Sequence, residues 1–159
     1  MAIMNPYNYS KPRSFIKVEI EVKSEIGQIK PVLPSNENAY QKSSQYLENK
    51  INSAKPEELT LMLYEGLIKF IKKAVMGIEN NNIEEVNYNA QRAQAIIDEL
   101  RATLNKDVPL SESLDQLYEY MSFKLVEANV DKNVSAFNDA LEIAESFKET
   151  WRVAFNLKA

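Results

Sequence analysis

Between Leu59 and Ile71 the chain carries only three polar residues, Thr60, Glu65 and Lys69, besides the small Gly66. A surface helix shows one apolar stripe and a polar remainder. This stretch shows two. Leu59, Met62, Leu63, Gly66, Leu67, Phe70 and Ala74 form one stripe; Leu61, Tyr64, Ile68, Ile71, Val75 and Ile78 form another. A helix of this kind must be covered on two sides, either by its own bundle or by the bundle and a partner. Burying one Leu or Ile contributes roughly 1.5–3 kcal/mol, and exposed apolar patches commonly mark interaction surfaces.

The rest of the chain supports an all-α fold. Of 6 Pro, four (Pro6, Pro12, Pro31, Pro34) precede Tyr40. Beyond that point helix breakers are scarce and helix formers abundant. A short helix is predicted from about Tyr40 to Lys50, interrupted by Asn52-Ser53-Ala54-Lys55. Pro56 suits the first turn of a second helix, where its missing N–H costs nothing, and Glu57 and Glu58 suit the positive helix end. That helix is read as Pro56–Glu79.

A third helix, Ile83–Leu104, has Asn82 as cap and Glu85 in capping-box register. Its stripe is Ile83, Val86, Ala90, Ala93, Ile97, Leu100 and Leu104. After the break at Asn105–Pro109 a fourth helix runs from Leu110 or Ser111 to Val130, with the stripe Leu110, Leu114, Leu117, Met121, Leu125 and Ala128. Asn133 caps a fifth, which carries Val134, Phe137, Leu141, Ala144, Trp151 and Phe155. Short connections imply antiparallel neighbours. The predicted fold class is thus all-α: an antiparallel four-helix bundle with a short extra N-terminal helix.

The domain boundary falls at 38/39. Residues 39–159 read as the bundle; residues 1–38 read as an extension. Within it, Phe15–Lys23 alternates apolar and charged residues, the period of a half-buried strand. A turn at Ser24–Gly27 could lead to a second strand, Gln28–Leu33, which Pro31 would confine to an edge. Since an isolated hairpin is marginal in water, this segment must pack on the bundle, pair with another chain, or stay mobile.

The sequence contains no Cys and no His. Thiol nucleophiles, disulfides, thiolate metal sites and imidazole bases are therefore excluded. A carboxylate-only active site is the one enzymatic option, and the acids fall mostly where solvated helix faces are expected. The reading is a non-enzyme without cofactor, catalytic residue or metal. The net charge of −4, with Lys and Arg scattered among acids, argues against nucleic acid. No apolar run approaches the ~18 residues that span a bilayer, and no signal-peptide core is present, which places the chain in the cytoplasm.

Ala39-Tyr40-Gln41 and Pro56-Glu57-Glu58-Leu59-Thr60-Leu61-Met62-Leu63-Tyr64-Glu65-Gly66 resemble the flagellar export chaperone family FliS. So do Ile68-Lys69-Phe70, Arg92–Leu100, Leu117–Met121, Leu125–Asn129 and Phe147–Trp151. These matches occur in order from Ala39 to Trp151. The resemblance implies a secretion chaperone that binds the disordered C-terminal segment of flagellin, prevents premature polymerisation and assists type III export. In that setting the flagellin tail lies partly as helices in apolar grooves. The expected groove is Tyr40, Ile51, Leu61, Tyr64, Ile68, Ile71, Tyr118 and Met121, with Tyr40 also covering it when flagellin is absent.

Two features depart from the family pattern. Lys55 stands where Ser, Thr or Asp usually caps the second helix, leaving Ser53 as the only substitute. The extension of nearly forty residues is also atypical. It motivates an alternative, a regulatory adaptor that sequesters another flagellar protein by strand pairing; flagellar regulators or the export apparatus are further expected partners.

Overall fold

The computed structural model describes residues 5–7, 45–46 and 49–158. Four long helices dominate: α1 (Pro56–Glu79), α2 (Ile83–Ala102), α3 (Leu110–Asp131) and α4 (Val134–Ala154). They correspond to the predicted second to fifth helices. They close into an antiparallel ring, with α1 against α2 and α4, and α3 against α2 and α4. A short helical piece precedes them at residues 45–46 and 49–53, and its Ile51 is buried. The fold class expected from periodicity is the one found. The strand and hairpin readings, and Tyr40, lie outside the described residues.

Helix starts follow local chemistry. Asn82 Oδ1 accepts from Glu85 N at 3.2 Å, while the Glu85 carboxylate meets the Asn82 side-chain amide rather than completing a backbone box. Asn133 Oδ1 accepts from Ser135 N and Ala136 N. At α1, Lys55 occupies the cap position without a capping side chain. Ser53 does not substitute, because its hydroxyl donates backward to Asn49 O at 2.8 Å. The compensation comes from one side only: Glu58 Oε2 accepts from Lys55 N at 2.9 Å, which satisfies one donor at an end that favours acids. The short helix runs three residues past Lys50, and that Ser53 bond is made within its last turn.

The two-faced helix is covered by the bundle itself. Between residues 59 and 71 of α1 only Glu65 and Lys69 are exposed. Thr60, one of the three polar residues of this stretch, is fully buried and donates its hydroxyl to Pro56 O. One apolar face meets α2: an added Cβ at Gly66 would touch Ile96, and one at Gly77 would touch Val86. The other meets α4, where Tyr64 stacks on Phe147. α3 is reached mainly through the tyrosine contacts described below, because a four-membered ring places it diagonally opposite α1.

Three stripe assignments change. Ile83 is exposed at the first position of α2, beyond the end of the core. Leu110 and Leu117 are exposed as well, and Tyr118 takes the core position between Leu114 and Met121. The steps 114, 118, 121, 125 and 128 keep the helical period; 110 and 117 drift off that face.

Gly77 marks the tightest approach in the bundle. A Cβ there would lie 2.9 Å from Val86 Cγ2, 3.1 Å from Val86 N and 3.3 Å from Asn82 O. Two of these atoms are backbone and cannot swing aside. Gly77→Ala should therefore lower stability by about 1–3 kcal/mol, although alanine favours a helix by about 1 kcal/mol. Gly66→Ala, facing only the tip of Ile96 at 3.3 Å, should stay within about 1 kcal/mol of wild type in urea denaturation.

Candidate functional site

The antiparallel ring brings the start of α1, the end of α2, the start of α3 and the end of α4 to one end of the bundle. The helices deliver aromatic side chains there. Tyr64 lies two turns into α1, Tyr118 two turns into α3, and Phe147 and Trp151 near the end of α4, with Phe155 just beyond it. Tyr64 stacks on Phe147 with centroids 5.8 Å apart, and Phe147 lies 5.4 Å from Tyr118. Trp151 sits edge-on to Tyr64 and 4.4 Å from Phe155. Its indole N–H donates to Glu57 O at 2.8 Å, tying the end of α4 to the start of α1.

A short N-terminal segment fills this aromatic end. Tyr7 is 5% exposed. Its ring meets Trp151 edge-on at 5.3 Å, and its hydroxyl is 2.8 Å from Tyr64 Oη and hydrogen-bonded to Tyr118 Oη. Tyr64 and Tyr118 hydroxyls are themselves 2.7 Å apart. Three phenols thus close a triangle of hydrogen bonds inside the protein, which satisfies polar atoms that would be costly to bury alone. The backbone is also held. Asn105 N donates to Pro6 O at 2.7 Å, and Tyr7 bridges Leu104 in antiparallel fashion. The Asn5 side-chain amide reaches Glu57 Oε1 at 3.5 Å. An extended segment is gripped by main-chain pairing and by one aromatic anchor in a polar-floored pocket.

Burial raises the Tyr64 and Tyr118 phenols above their ordinary range, Tyr118 well above it, because the phenolate would be desolvated. Charge is kept to the rim. Lys72–Glu145 and Lys148–Glu65 join α1 to α4, and Arg101–Asp115 joins α2 to α3. The Arg101 guanidinium holds the Asp115 carboxyl below the usual carboxylate range. These half-exposed pairs contribute about 0–1 kcal/mol each.

All seven described members of the expected groove are buried. Ile51, Tyr64, Ile71, Tyr118 and Met121 are 3% exposed or less, while Leu61 and Ile68 keep 8% and 9%. Tyr64 and Tyr118 are brought together; Ile71 and Met121 lie deeper in the core. The sequence reading missed Tyr7 and the partnership of Trp151 with it. Tyr7 lies in the segment set aside as an extension, and no periodicity marks a single anchoring residue. Next to this end, a cleft of about 590 Å³ runs between residues 50–55, the first two turns of α1 and residues 155–158. Among the described residues no group of acidic side chains is placed to hold a metal ion, and no helix is long and apolar enough to cross a membrane.

Comparison with known proteins agrees with this architecture. The family model described as "Flagellar protein FliS" matches residues 36–158. The flagellar secretion chaperone FliS of Bacillus subtilis (strain 168) is 41% identical over 109 residues, covering 69% of this chain and 82% of that protein. The FliS chaperone of Campylobacter jejuni is 32% identical over 113 residues, covering 70% and 88%. A solved crystal structure of a bacterial flagellar chaperone superposes with a TM-score of 0.61 over 73% of this chain and 96% of its own, at 22% identity, a likeness of fold. With the family model matching residues 36–158 and relatives at 41% and 32% identity over about 70% of its length, the chain belongs to the FliS family of flagellar proteins.

Proposed function

We propose that this protein is a cytoplasmic secretion chaperone that binds the disordered C-terminal segment of flagellin, holds it from premature polymerisation and presents it for type III export. The role is one of binding, without catalysis or cofactor. The observation that carries the reading is the seating of Asn5-Pro6-Tyr7. The aromatic end of the bundle accepts an extended peptide through the Asn105 N–H, the Leu104 edge and the Tyr64–Tyr118–Trp151 pocket. A partner that is disordered when free needs such fixed anchors to offset its ordering. Tyr7 then acts as the internal occupant that a flagellin segment displaces, the role expected of Tyr40.

Isothermal titration of the full chain with a synthetic flagellin C-terminal peptide should show one-to-one binding. Tyr7→Ala should tighten it several-fold, since a competitor is removed. Absence of heat together with absence of any ordering of the peptide would sink the chaperone reading. Unchanged affinity in Tyr7→Ala would show that the peptide does not enter this seat.

A further inference from the structure

The solvent side of α3 is as apolar as its core side over three turns. Tyr120, Phe123, Val126 and Val130 are 46%, 64%, 47% and 74% exposed. At about 100° per residue they fall within about a third of the helix circumference, directly away from the core line Leu114, Tyr118, Met121, Leu125 and Ala128. They form a strip ~15 Å long, a feature the bundle does not use. The same outward line continues toward the start of α3 as Glu112, Gln116 and Glu119. No basic residue shares this line. Arg101 is turned to Asp115 by hydrogen bonds of 2.7 and 3.3 Å. Lys124 borders the line, with its ammonium 5.9 Å over the Tyr120 ring, and is paired with Glu127 at 3.0 Å and with Asp139 at 3.9 Å. The face is thus acidic in its first half and mainly apolar in its second, where the one carboxylate, Glu127, lies at the edge and is paired with Lys124.

This division selects its occupant. A second copy of the chain fits poorly. Parallel pairing would set Glu112 and Glu119 against their own counterparts, and antiparallel pairing would set them over Phe123 and Val130, desolvating carboxylates without partners. A helix with apolar residues in one half and cations in the other satisfies both halves. We propose that the outward face of α3 docks an amphipathic helix of a partner protein, with aliphatic side chains over Phe123, Val126 and Val130 and Lys or Arg side chains over Glu112 and Glu119. The surface lies on the outer side of α3, away from the Tyr7 seat, and does not depend on the flagellin reading.

The test uses the full chain and a fluorescein-labelled helical peptide of about 20 residues, with leucines on one face of its first half and lysines on the same face of its second half. A scrambled peptide of equal composition is the control. Anisotropy should show saturable binding of the patterned peptide that weakens as salt is raised. Phe123→Ser/Val130→Ser, at exposed positions that leave the circular dichroism unchanged, should weaken it at least tenfold. Glu112→Lys/Glu119→Lys should weaken it and flatten its salt dependence.

Equal binding of the scrambled peptide, or equal affinity in both variants, overturns the proposal. A concentration-dependent dimer abolished by Phe123→Ser/Val130→Ser would assign the face to a second copy instead. A tenfold loss of flagellin-peptide affinity in that variant would assign it to the flagellin path. Failure of the flagellin peptide to bind wild type, with the patterned peptide still binding, would remove the chaperone reading and leave this one standing.

Discussion

Trp151→Ala is expected to cost about 3–5 kcal/mol, the usual loss for truncating a large buried aromatic. The indole is 7% exposed and touches the rings of Tyr7, Tyr64 and Phe155. Its loss removes that contact area and leaves Glu57 O without its N–H donor. Domains of this size have total stabilities of about 5–15 kcal/mol, so the variant should approach its unfolding threshold at physiological temperature. The melting temperature should fall by about 6–20 °C, at roughly 2–4 °C per kcal/mol. Because Trp151 is the only tryptophan, far-ultraviolet circular dichroism is the suitable readout. A loss below about 1 kcal/mol would mean that the aromatic end contributes little to holding α1 and α4 together.

Stability should also fall steeply in alkali, and the tyrosine triangle is the reason. Tyr64 and Tyr118 have raised phenol values in the folded state, chiefly through burial. An unfolded tyrosine ionises near pH 10. Below that value both states keep the proton and the stabilisation is fully present. Above it the unfolded chain holds fewer protons than the folded protein, so stability decreases as pH rises toward the folded values. Each phenol can contribute a slope of up to about 1.4 kcal/mol per pH unit. Urea midpoints compared at pH ~9 and ~11 should drop more in wild type than in Tyr64→Phe/Tyr118→Phe. Parallel declines in the two proteins would show that other titrating groups, the lysines among them, set the alkaline limit.

Residue pattern and tertiary structure part along one physical line. Helix existence and extent were legible, since they rest on local periods and caps. Pro56–Glu79 and the caps at Asn82 and Asn133 appear as read. The four-helix architecture followed from short connections between long amphipathic segments. The two apolar faces of α1 were legible too, but not what covers them. Periodicity records that a side chain avoids water, and it is silent on whether a neighbouring helix or another protein supplies the cover. Here α2 and α4 cover both faces, and the seven described residues expected to line a groove are buried.

Long-range juxtaposition escaped the sequence for the same reason. Tyr7 and Tyr118 are separated by 111 positions, yet their hydroxyls are bonded. Nothing local distinguishes Tyr7 from the other tyrosines of the chain. Only the antiparallel closure of the ring, which puts the starts of α1 and α3 beside the end of α4, makes a pocket for it. The outer stripe on α3 is an intermediate case. Its spacing could be counted in the sequence, but Leu110 and Leu117 fitted a core line equally well. Tertiary packing decided between them by rotating Tyr118 inward, and so left Phe123 and Val130 facing water. Local chemistry therefore settled which segments are helices and where they begin, while the choice of inward face and the meeting of distant side chains belonged to the packed ring.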